Sequence, residues 1–342
     1  MIASKVQTLY SMAGPKGLYH IGKDYLAVRS LPETVDPLPK SIQIEVTSIC
    51  NIRCKQCYIN YLGPLRPGFM RFDAFKKIIA ENFNYWHTIR LWGIGEPFMN
   101  QDIMKIVEYE KGLGNACNIS TNAMLLDENK IKRLIELKLD KLNISIDGGT
   151  KETYEDIRVG ASFDKLLDSM ELLQKFNKNK TIRLSVTNVL MKKNMDELKE
   201  LVRIINSFGI KRISIQEIQV AKEGMVISDE ETLQDVTDIN KRITEAREFG
   251  KTLGVNVVAP SIYQKTKRTE CVWPWMQTYI TYDGLVTPCC RNIYEKHYVC
   301  GDLNKEKFVD IWNNKKYQTF RKLLKENEGP ALPKQCDSCT ML

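Results

Sequence analysis

Apolar and polar residues alternate in two distinct patterns along the first two thirds of the chain. Between short apolar segments, apolar residues recur three and four positions apart, as in amphipathic helices. Asp127 suits the N-cap of one such helix and Gly209 the C-terminal stop of another. The short segments have the length and composition of strands, at 42–46, 88–92, 117–120, 142–146, 182–189 and 213–220. Strands that alternate with helices predict βαβ units around a parallel sheet.

Six consecutive βα units indicate an α/β fold in which the sheet forms a partial (β/α)6 barrel of the TIM type. The active sites of such barrels lie at the carboxyl ends of the strands, so polar residues there are the first candidates for chemistry. The regular alternation of strands and helices stops after the sixth strand. The predicted divisions are a lead-in at 1–40, the barrel at 41–220, a connecting helical segment at 221–270 and a small C-terminal domain at 271–342.

The C-terminal third combines helices with one hairpin. A polar helix is predicted from about Glu231 to Leu253. Residues 276–287 predict a hairpin, in which Asp283-Gly284 suits a type I′ turn. A last helix over about 308–323 carries most of the remaining large apolar residues.

The composition is that of an ordinary globular protein, with 27% charged and 43% hydrophobic residues among 342. No run of about 18 apolar residues is present, so no membrane span is expected. The N-terminus lacks the apolar stretch of a secretory signal, which favours a cytoplasmic protein. The net charge of +8 is mixed with acids, and we expect no specific nucleic-acid binding. Ten cysteines in such a chain indicate metal or catalytic sites rather than disulfides.

Three cysteines, Cys50, Cys54 and Cys57, follow the first predicted strand as C-x3-C-x2-C. Four thiolates would close a tetrahedral zinc site, and no fourth cysteine lies nearby in the sequence. Three thiolates suit a [4Fe–4S] cluster in which one iron keeps an open position. A zinc site completed by a distant residue and three unrelated buried thiols are the alternatives.

A second group of cysteines lies in the C-terminal domain. Cys271 and Cys289 form C-x12-G-x4-C, and Cys336 and Cys339 form C-x2-C near the end of the chain. The predicted hairpin brings the first pair together, and the last helix returns the chain to them. Four thiolates make a closed site, which fits zinc and a fully ligated [4Fe–4S] cluster equally well.

The early cysteine motif, at the end of the first strand, resembles that of the radical S-adenosylmethionine (SAM) superfamily. The C-terminal pattern is similar to the SPASM/twitch branch, and the likeness covers residues 41–342. Full SPASM domains carry a C-x2-C-x5-C-x3-C run that is absent here, so the resemblance implies a single auxiliary cluster. It implies a radical SAM enzyme whose cofactors are SAM, a SAM-binding [4Fe–4S] cluster and an auxiliary [4Fe–4S] cluster.

The resemblance also implies roles for polar residues at strand ends. Gly93, Gly95 and Glu96 are similar to the glycine–glutamate element that holds the methionyl amino group of SAM. Glycines allow close backbone approach, and a carboxylate suits an ammonium group. Contacts to the ribose and carboxylate of SAM are expected from Ser120, Asn122, Ser145, Asp147 and Arg158. The alternative for each is an ordinary loop hydrogen bond or a surface charge.

Three cysteines remain outside both motifs. Cys117 begins a strand and is interpreted as an ordinary buried thiol. Cys290 adjoins a proposed ligand, which it could also replace, and Cys300 lies near the second cluster site in sequence. A thiol near a radical site could donate a hydrogen atom, as in epimerases of the family, so these two are the candidate catalytic residues.

The implied function is reductive cleavage of SAM to a 5′-deoxyadenosyl radical, which abstracts a hydrogen atom from a substrate. A fully ligated auxiliary cluster favours net oxidation of a sugar- or cyclitol-like small molecule, an oxidoreductase reaction, with that cluster accepting an electron. The alternative within the family is a maturase or epimerase that modifies a peptide. An electron donor such as flavodoxin or ferredoxin is implied. A non-enzymatic zinc- or RNA-binding module is the alternative from another class.

Overall fold

The computed structural model describes residues 30–36, 38–57, 67–217, 235–259, 271–290, 298–326 and 336. The predicted lead-in therefore lies mostly outside the described residues. Its last part packs on the C-terminal region, where the Trp275 indole donates a hydrogen bond to the Pro32 carbonyl at 2.7 Å. No helix within the described ranges is long and apolar enough to span a bilayer.

One mostly parallel sheet organises the described residues. Its strands are β1 (Ser41–Ile44), β3 (Thr88–Leu91), β4 (Ala116–Thr121), β5 (Lys141–Ser145), β7 (Arg183–Leu190), β8 (Arg212–Glu217), β9 (Asn256–Val258), β10 (Gln277–Ile280), β11 (Leu285–Thr287) and β12 (Gly301–Asp302). A separate small ladder pairs β2 (Arg53–Cys54) with β6 (Arg158–Val159). In space the order is β12-β11-β10-β1-β3-β4-β5-β7-β8-β9.

The predicted α/β fold class is confirmed. The six predicted strands correspond to β1, β3, β4, β5, β7 and β8, which are parallel neighbours in that order. Within the described residues the sheet runs from edge to edge without closing, as a partial barrel does.

Helices connect most of the parallel strands, as βαβ units require, and two further helices follow β12. They are α1 (Phe72–Asn82), α2 (Ile103–Gly112), α3 (Glu128–Glu136), α4 (Lys151–Ile157), α5 (Phe163–Phe176), α6 (Leu198–Ser207), α7 (Val236–Thr252), α8 (Trp273–Met276), α9 (Phe308–Trp312) and α10 (Lys315–Glu326). Both predicted helix boundaries are confirmed. Asp127 accepts a hydrogen bond from the Lys130 amide at 2.8 Å at the start of α3. Gly209 (φ +75°) follows the end of α6, and the Ile210 amide bonds to Ile205, as in a Schellman motif.

The two faces of the sheet differ in polarity. Along β4 and β5, Cys117, Ile119, Leu142 and Ile144 are fully buried, and the residues between them are polar and half-buried. A parallel sheet buried equally on both faces is usually apolar throughout. The alternation therefore indicates that one face packs on the helices and the other lines a polar interior.

The connecting segment holds a strand that the sequence interpretation missed. β9 pairs with β8 as a further parallel strand, after the predicted polar helix, which is α7. Only three residues long, β9 is too short for the alternation to identify. Since β10 pairs with β1, the C-terminal hairpin continues the same sheet. The domain boundaries remain a prediction.

The hairpin turn differs from the prediction. Gly284 has a positive φ of +90°, whereas Asp283 is not among the residues with positive φ, which a type I′ turn requires at both positions. The Gly284 amide bonds to the Thr281 carbonyl at 2.9 Å, and Thr281 then pairs with Leu285. The turn is therefore type I followed by a glycine bulge, in which only glycine needs the left-handed region.

The predicted last helix is two helices. Asn314 separates α9 from α10, and its side chain accepts a hydrogen bond from the Tyr317 amide at 3.1 Å. Arg321 is completely buried, with its guanidinium 4.4 Å from the centre of the Trp312 ring. Burial lowers the pKa of Arg321 to about 10. This aromatic core holds the C-terminal region against the sheet.

Candidate functional site

The cysteine loop joins the end of β1 to the small β2–β6 ladder. Cys50, Cys54 and Cys57 are each half-buried. The Cys57 amide donates to the Cys54 carbonyl at 2.9 Å, so a tight turn brings the last two cysteines together. Cys54 pairs with Arg158 in the ladder. The loop is thereby fixed at the carboxyl end of the parallel strands, where the sequence predicted it.

Two side chains from other strand ends donate to the cysteine sulfurs. Asn122 Nδ2 lies 3.7 Å from Cys50 Sγ, and Arg158 Nη1 lies 3.8 Å from Cys54 Sγ. Burial raises the pKa of Cys54 to about 12, and the charge of Arg158 opposes that rise. Thiolates at this depth need a nearby positive centre, which a metal cluster supplies.

Arg158 and Asp147 form a buried ion pair beside this loop. Arg158 Nη2 lies 2.7 Å from Asp147 Oδ2, and both side chains are less than one tenth exposed. Asp147 also accepts hydrogen bonds from Gln56 Nε2 at 2.5 Å and from the Val189 amide at 2.7 Å. Its carboxylate is therefore engaged by protein groups, and the direct contact to SAM expected of it remains a prediction.

The carboxylate of Glu96, like that of Asp147, accepts several hydrogen bonds from the protein. Its side chain is 3% exposed and accepts hydrogen bonds from Thr121 Oγ1 at 2.7 Å and from the amides of Asn122 and Phe98 at 2.8 and 3.2 Å. Burial raises the pKa of Glu96 to about 7. These contacts join the ends of β3 and β4. Glu96 therefore positions Asn122, the donor to Cys50, and the contact to SAM expected of the element of Gly93, Gly95 and Glu96 remains a prediction.

Gly95 is the tightest point of that element. A Cβ atom there would lie 2.4 Å from the Thr47 carbonyl and 2.6 Å from the Ile49 carbonyl, both backbone atoms. The Glu96 amide bonds to the same Ile49 carbonyl at 2.9 Å. Only glycine allows this approach of the element to the cysteine loop.

Gly95→Ala is expected to push residues 93–97 away from the cysteine loop and to destabilise the fold by about 3 kcal/mol, the upper end for overpacking. The stability measured by denaturant unfolding and the SAM affinity measured by equilibrium dialysis should both decrease. Gly112→Ala is the matched control, because a Cβ there meets nothing within 4 Å. Equal stability and affinity in the two variants would contradict this account of Gly95.

A cavity of about 400 Å³ lies on the polar face of the sheet. Arg158 lines it, so the cavity reaches the cysteine loop. Ser120 and Ser145, both predicted site residues, line it too, and Asn143 donates to Ser120 Oγ at 3.0 Å. Most of the lining alternates along strands β4, β5, β7 and β8, with hydroxyl or amide groups at Asn118, Ser120, Asn143, Ser145, Ser185, Thr187, Ser214 and Gln216.

Sequence reasoning missed the basic part of this cavity. Arg90, Lys141 and Arg212 line it at a distance from the cysteine loop along the strands. Arg90 lies within a predicted strand, and Lys141 and Arg212 directly precede two others. Alternation along a strand places their side chains on the same face as the polar residues that follow.

The second cysteine group is described in part. Cys271, Cys289 and Cys336 are half-buried, and Cys339 lies outside the described residues. Thr287 Oγ1 donates to the Cys289 carbonyl at 3.0 Å and holds the end of the hairpin. The fourfold ligand set remains a prediction.

The two candidate hydrogen donors occupy different surroundings. Cys300 is 5% exposed and belongs to the hydrophobic core, and burial raises its pKa to about 12. Cys290 is half-buried and close enough to Arg90 to influence the charge of that residue. Of the two, Cys290 is the one associated with a residue that lines the cavity. Cys117 is fully buried, as expected of an ordinary thiol.

Glu45 gives the folded chain a pH dependence. It follows β1, is 2% exposed, and accepts hydrogen bonds from Tyr279 Oη at 2.6 Å and the Ile94 amide at 3.3 Å. Burial raises the pKa of Glu45 from 4.5 to about 7 against those bonds. Between pH 4.5 and about 7, Glu45 holds a proton in the folded state and releases it in the unfolded state. The free energy of unfolding therefore falls as pH rises through this range.

The free energy of unfolding should fall less between pH 4.5 and 7 in Glu45→Gln than in the unmodified protein, by up to about 3 kcal/mol. Urea unfolding at several pH values measures it. Glu171→Gln, an exposed position on α5, should leave the slope unchanged. The same slope in Glu45→Gln and in the unmodified protein would show that Glu45 does not titrate as described.

Family models match two separate parts of the chain. The model of the radical SAM superfamily matches residues 44–205, and the SPASM model, an iron–sulfur cluster-binding domain, matches residues 271–340. The chain belongs to the radical SAM superfamily. It is a radical SAM enzyme, as predicted, and the alternative of a non-enzymatic zinc- or RNA-binding module is wrong.

Several relatives of this radical SAM enzyme cover most of its length. The tungsten-containing aldehyde ferredoxin oxidoreductase cofactor-modifying protein of Pyrococcus furiosus is 27% identical, over 88% of this chain and 87% of the relative. An AdoMet-dependent heme synthase of Oleidesulfovibrio alaskensis is 22% identical, over 91% and 83%. The structure of native anSMEcpe with bound AdoMet and Cp18Cys peptide has a TM-score of 0.67 and 18% identity, and the match covers 84% of each chain. That likeness shows a shared fold.

The cofactors of this radical SAM enzyme are SAM, a SAM-binding [4Fe–4S] cluster and an auxiliary [4Fe–4S] cluster. Cys50, Cys54 and Cys57 fit the first cluster, because three thiols converge on one loop and two buried donors point at their sulfurs. In the described part of the chain, no three histidine, cysteine, aspartate or glutamate side chains surround a single ion site.

Proposed function

We propose that this radical SAM enzyme takes a hydrogen atom from a hydroxyl-rich small molecule bound in the polar cavity and oxidises it, for example from an alcohol to a ketone on a sugar or cyclitol. The observation that carries the proposal is the cavity itself. It reaches Arg158, next to Cys54, and half of the residues that line it carry hydroxyl or amide side chains. Such groups match the hydrogen-bonding pattern of sugar hydroxyls.

The residues of the cysteine loop have separate tasks in this proposal. Cys50, Cys54 and Cys57 ligate the first cluster, which together with bound SAM supplies the chemistry of hydrogen-atom abstraction. Asn122 and Arg158 donate to the sulfurs. The backbone of residues 93–97 binds the methionyl end of SAM, and Glu96 and Asp147 act as positioning residues.

The remaining predicted contacts follow from the same arrangement. Ser120 and Ser145 lie on the cavity wall, where they can orient the ribose of SAM or the substrate. A partly enclosed cavity also limits access of water to the reacting atoms.

The auxiliary cluster is proposed to accept the second electron of the oxidation. Cys271, Cys289, Cys336 and Cys339 supply four ligands, and full ligation leaves no position for substrate. We expect an external electron donor such as flavodoxin or ferredoxin to reduce the enzyme, which we place in the cytoplasm.

Modification of a peptide is the second candidate function. The similarity in fold to anSMEcpe with a bound peptide favours it, since the same architecture there accommodates a chain. The named relatives also include a cofactor-modifying protein and a heme synthase. Deuterated substrates separate these classes.

The test is deuterium transfer into 5′-deoxyadenosine. The anaerobically reconstituted enzyme, reduced in the presence of SAM, should contain about eight irons per chain and form 5′-deoxyadenosine. Deuterium should move from a C–H position of a sugar or cyclitol acid or phosphate. Transfer from a peptide and from none of these small molecules would overturn the oxidation proposal. Cys339→Ala should still cleave SAM without forming product, and full turnover by this variant would refute the acceptor role of the second cluster.

A further inference from the structure

Three cations line the end of the cavity away from the cysteine loop. Lys141 and Arg212 are the first residues of β5 and β8, and Arg90 aligns with Asn118, which in turn aligns with Lys141. Adjacent strands lie about 4.8 Å apart, so the backbones at Arg90 and Lys141 are about 10 Å apart. Long side chains from these two strands can therefore reach one bound group. We call these three residues the basic floor.

Among the described residues, no carboxylate pairs with the cations of the basic floor. None of the described residues that line the cavity is acidic. Among the described residues, Lys141 and Arg212 form no ion pair, and the hydrogen bond of Arg90 Nη1 goes to the neutral Gln277 Oε1 at 2.8 Å. Arg158, the other cation of the cavity, already pairs with Asp147. The neighbouring carboxylate, Asp140, is held by Lys111 at 2.6 Å.

The charges of the basic floor act on one another. The pKa of Lys141 is lowered by burial and by the charges of Arg212, Arg90 and Arg183. The like charges of these cations repel one another, and a bound anion would reduce that repulsion. Cation clusters of this kind are typical of sites that bind carboxylate or phosphate groups.

We infer that the substrate of this enzyme carries a carboxylate or phosphate group, which binds to Arg90, Lys141 and Arg212. This inference rests on the proposed function and specifies the substrate class of the same cavity. Lys141 and Ser145 are four residues apart on β5, about 13 Å along the strand. The anion would thus anchor the substrate at the floor, with the reacting C–H directed towards the cysteine loop.

Three matched hexoses test the inference by isothermal titration calorimetry. D-glucuronate carries a carboxylate, D-glucose 6-phosphate carries a phosphate, and D-glucose carries no charge. On the reconstituted enzyme with SAM, at least one anion should bind at least about 10-fold tighter than glucose, since a charge-assisted hydrogen bond contributes about 1.5–3 kcal/mol. A preference between the two anions identifies which group the floor accepts.

Variants then locate the binding site. Lys141→Gln and Arg212→Gln should each weaken the preferred anion at least about 10-fold, and Lys178→Gln, an exposed lysine after α5, should not. Affinity for both anions no greater than for glucose, including undetectable binding of all three, would overturn the inference. So would unchanged affinity in both cavity variants.

Failure of the inference is separable from failure of the proposed function. Formation of 5′-deoxyadenosine by the reduced, unmodified enzyme with SAM alone reports radical chemistry and requires none of the hexoses. An enzyme that cleaves SAM and prefers no anion contradicts only the basic floor, and one that binds anions without cleaving SAM contradicts only the proposed reaction.

Discussion

Cys57→Ala is expected to abolish formation of 5′-deoxyadenosine from SAM. The turn in which the Cys57 amide bonds to the Cys54 carbonyl places both sulfurs on one short loop. Without Cys57, only two of the three thiolates remain, and one iron of the cluster loses its protein ligand. Iron content, visible absorption and 5′-deoxyadenosine, measured after identical anaerobic reconstitution, should all fall.

Cys117→Ala is the matched control for that variant. Cys117 is fully buried on β4 and packs in the hydrophobic core. Its loss should cost about 1 kcal/mol of stability, the typical effect of a point substitution, and should leave both the clusters and SAM cleavage in place. SAM cleavage by Cys57→Ala at the rate of the control would remove Cys57 from the ligand set.

Arg158→Met is expected to destabilise the protein by about 3–5 kcal/mol, the cost of breaking a buried ion pair at one partner. The fully buried Asp147 carboxyl group would then have the Val189 amide and Gln56 as its donors among the described residues. The same substitution removes the donor to Cys54 Sγ. Both urea unfolding and the reduction potential of the first cluster should therefore change.

Arg133→Met provides the comparison for Arg158. Arg133 pairs with Glu108 and Glu136 on the protein surface, where ion pairs contribute about 0–1 kcal/mol. Its loss should leave the cluster potential unchanged. If the two variants unfold at the same urea concentration, the buried pair does not stabilise the site as we describe.

The fold was largely predictable because its signal is local. Periods of two and of three to four residues identified the six strands and the helices between them, and capping chemistry fixed the boundaries at Asp127 and Gly209. Where the signal was weak, prediction failed. β9 spans only three residues. The Asp283-Gly284 pair suits two turn types, and the choice depended on how Thr281 pairs across the hairpin.

The site was predictable only as far as single motifs reach. The cysteine spacing identified the cluster loop, the strand-end rule brought Asp147 into the set, and the family resemblance added Arg158. Their pairing with each other depends on the β2–β6 ladder, a contact between residues about a hundred positions apart in sequence. The basic floor depends on strand register, which aligns Arg90 with Lys141 through Asn118. Neither relation is contained in local sequence.

Mössbauer spectroscopy of anaerobically purified, ⁵⁷Fe-enriched protein tests the central claim most directly, with the Cys57→Ala variant measured alongside. We expect cubane signals from two clusters, a change at one iron when SAM is added, and loss of that SAM-dependent signal in the variant. Two results would contradict the assignment of the first three cysteines and the function that depends on it. In one, no cubane signal is lost in Cys57→Ala. In the other, the cubane signal that is lost in Cys57→Ala does not change when SAM is added to the unmodified protein.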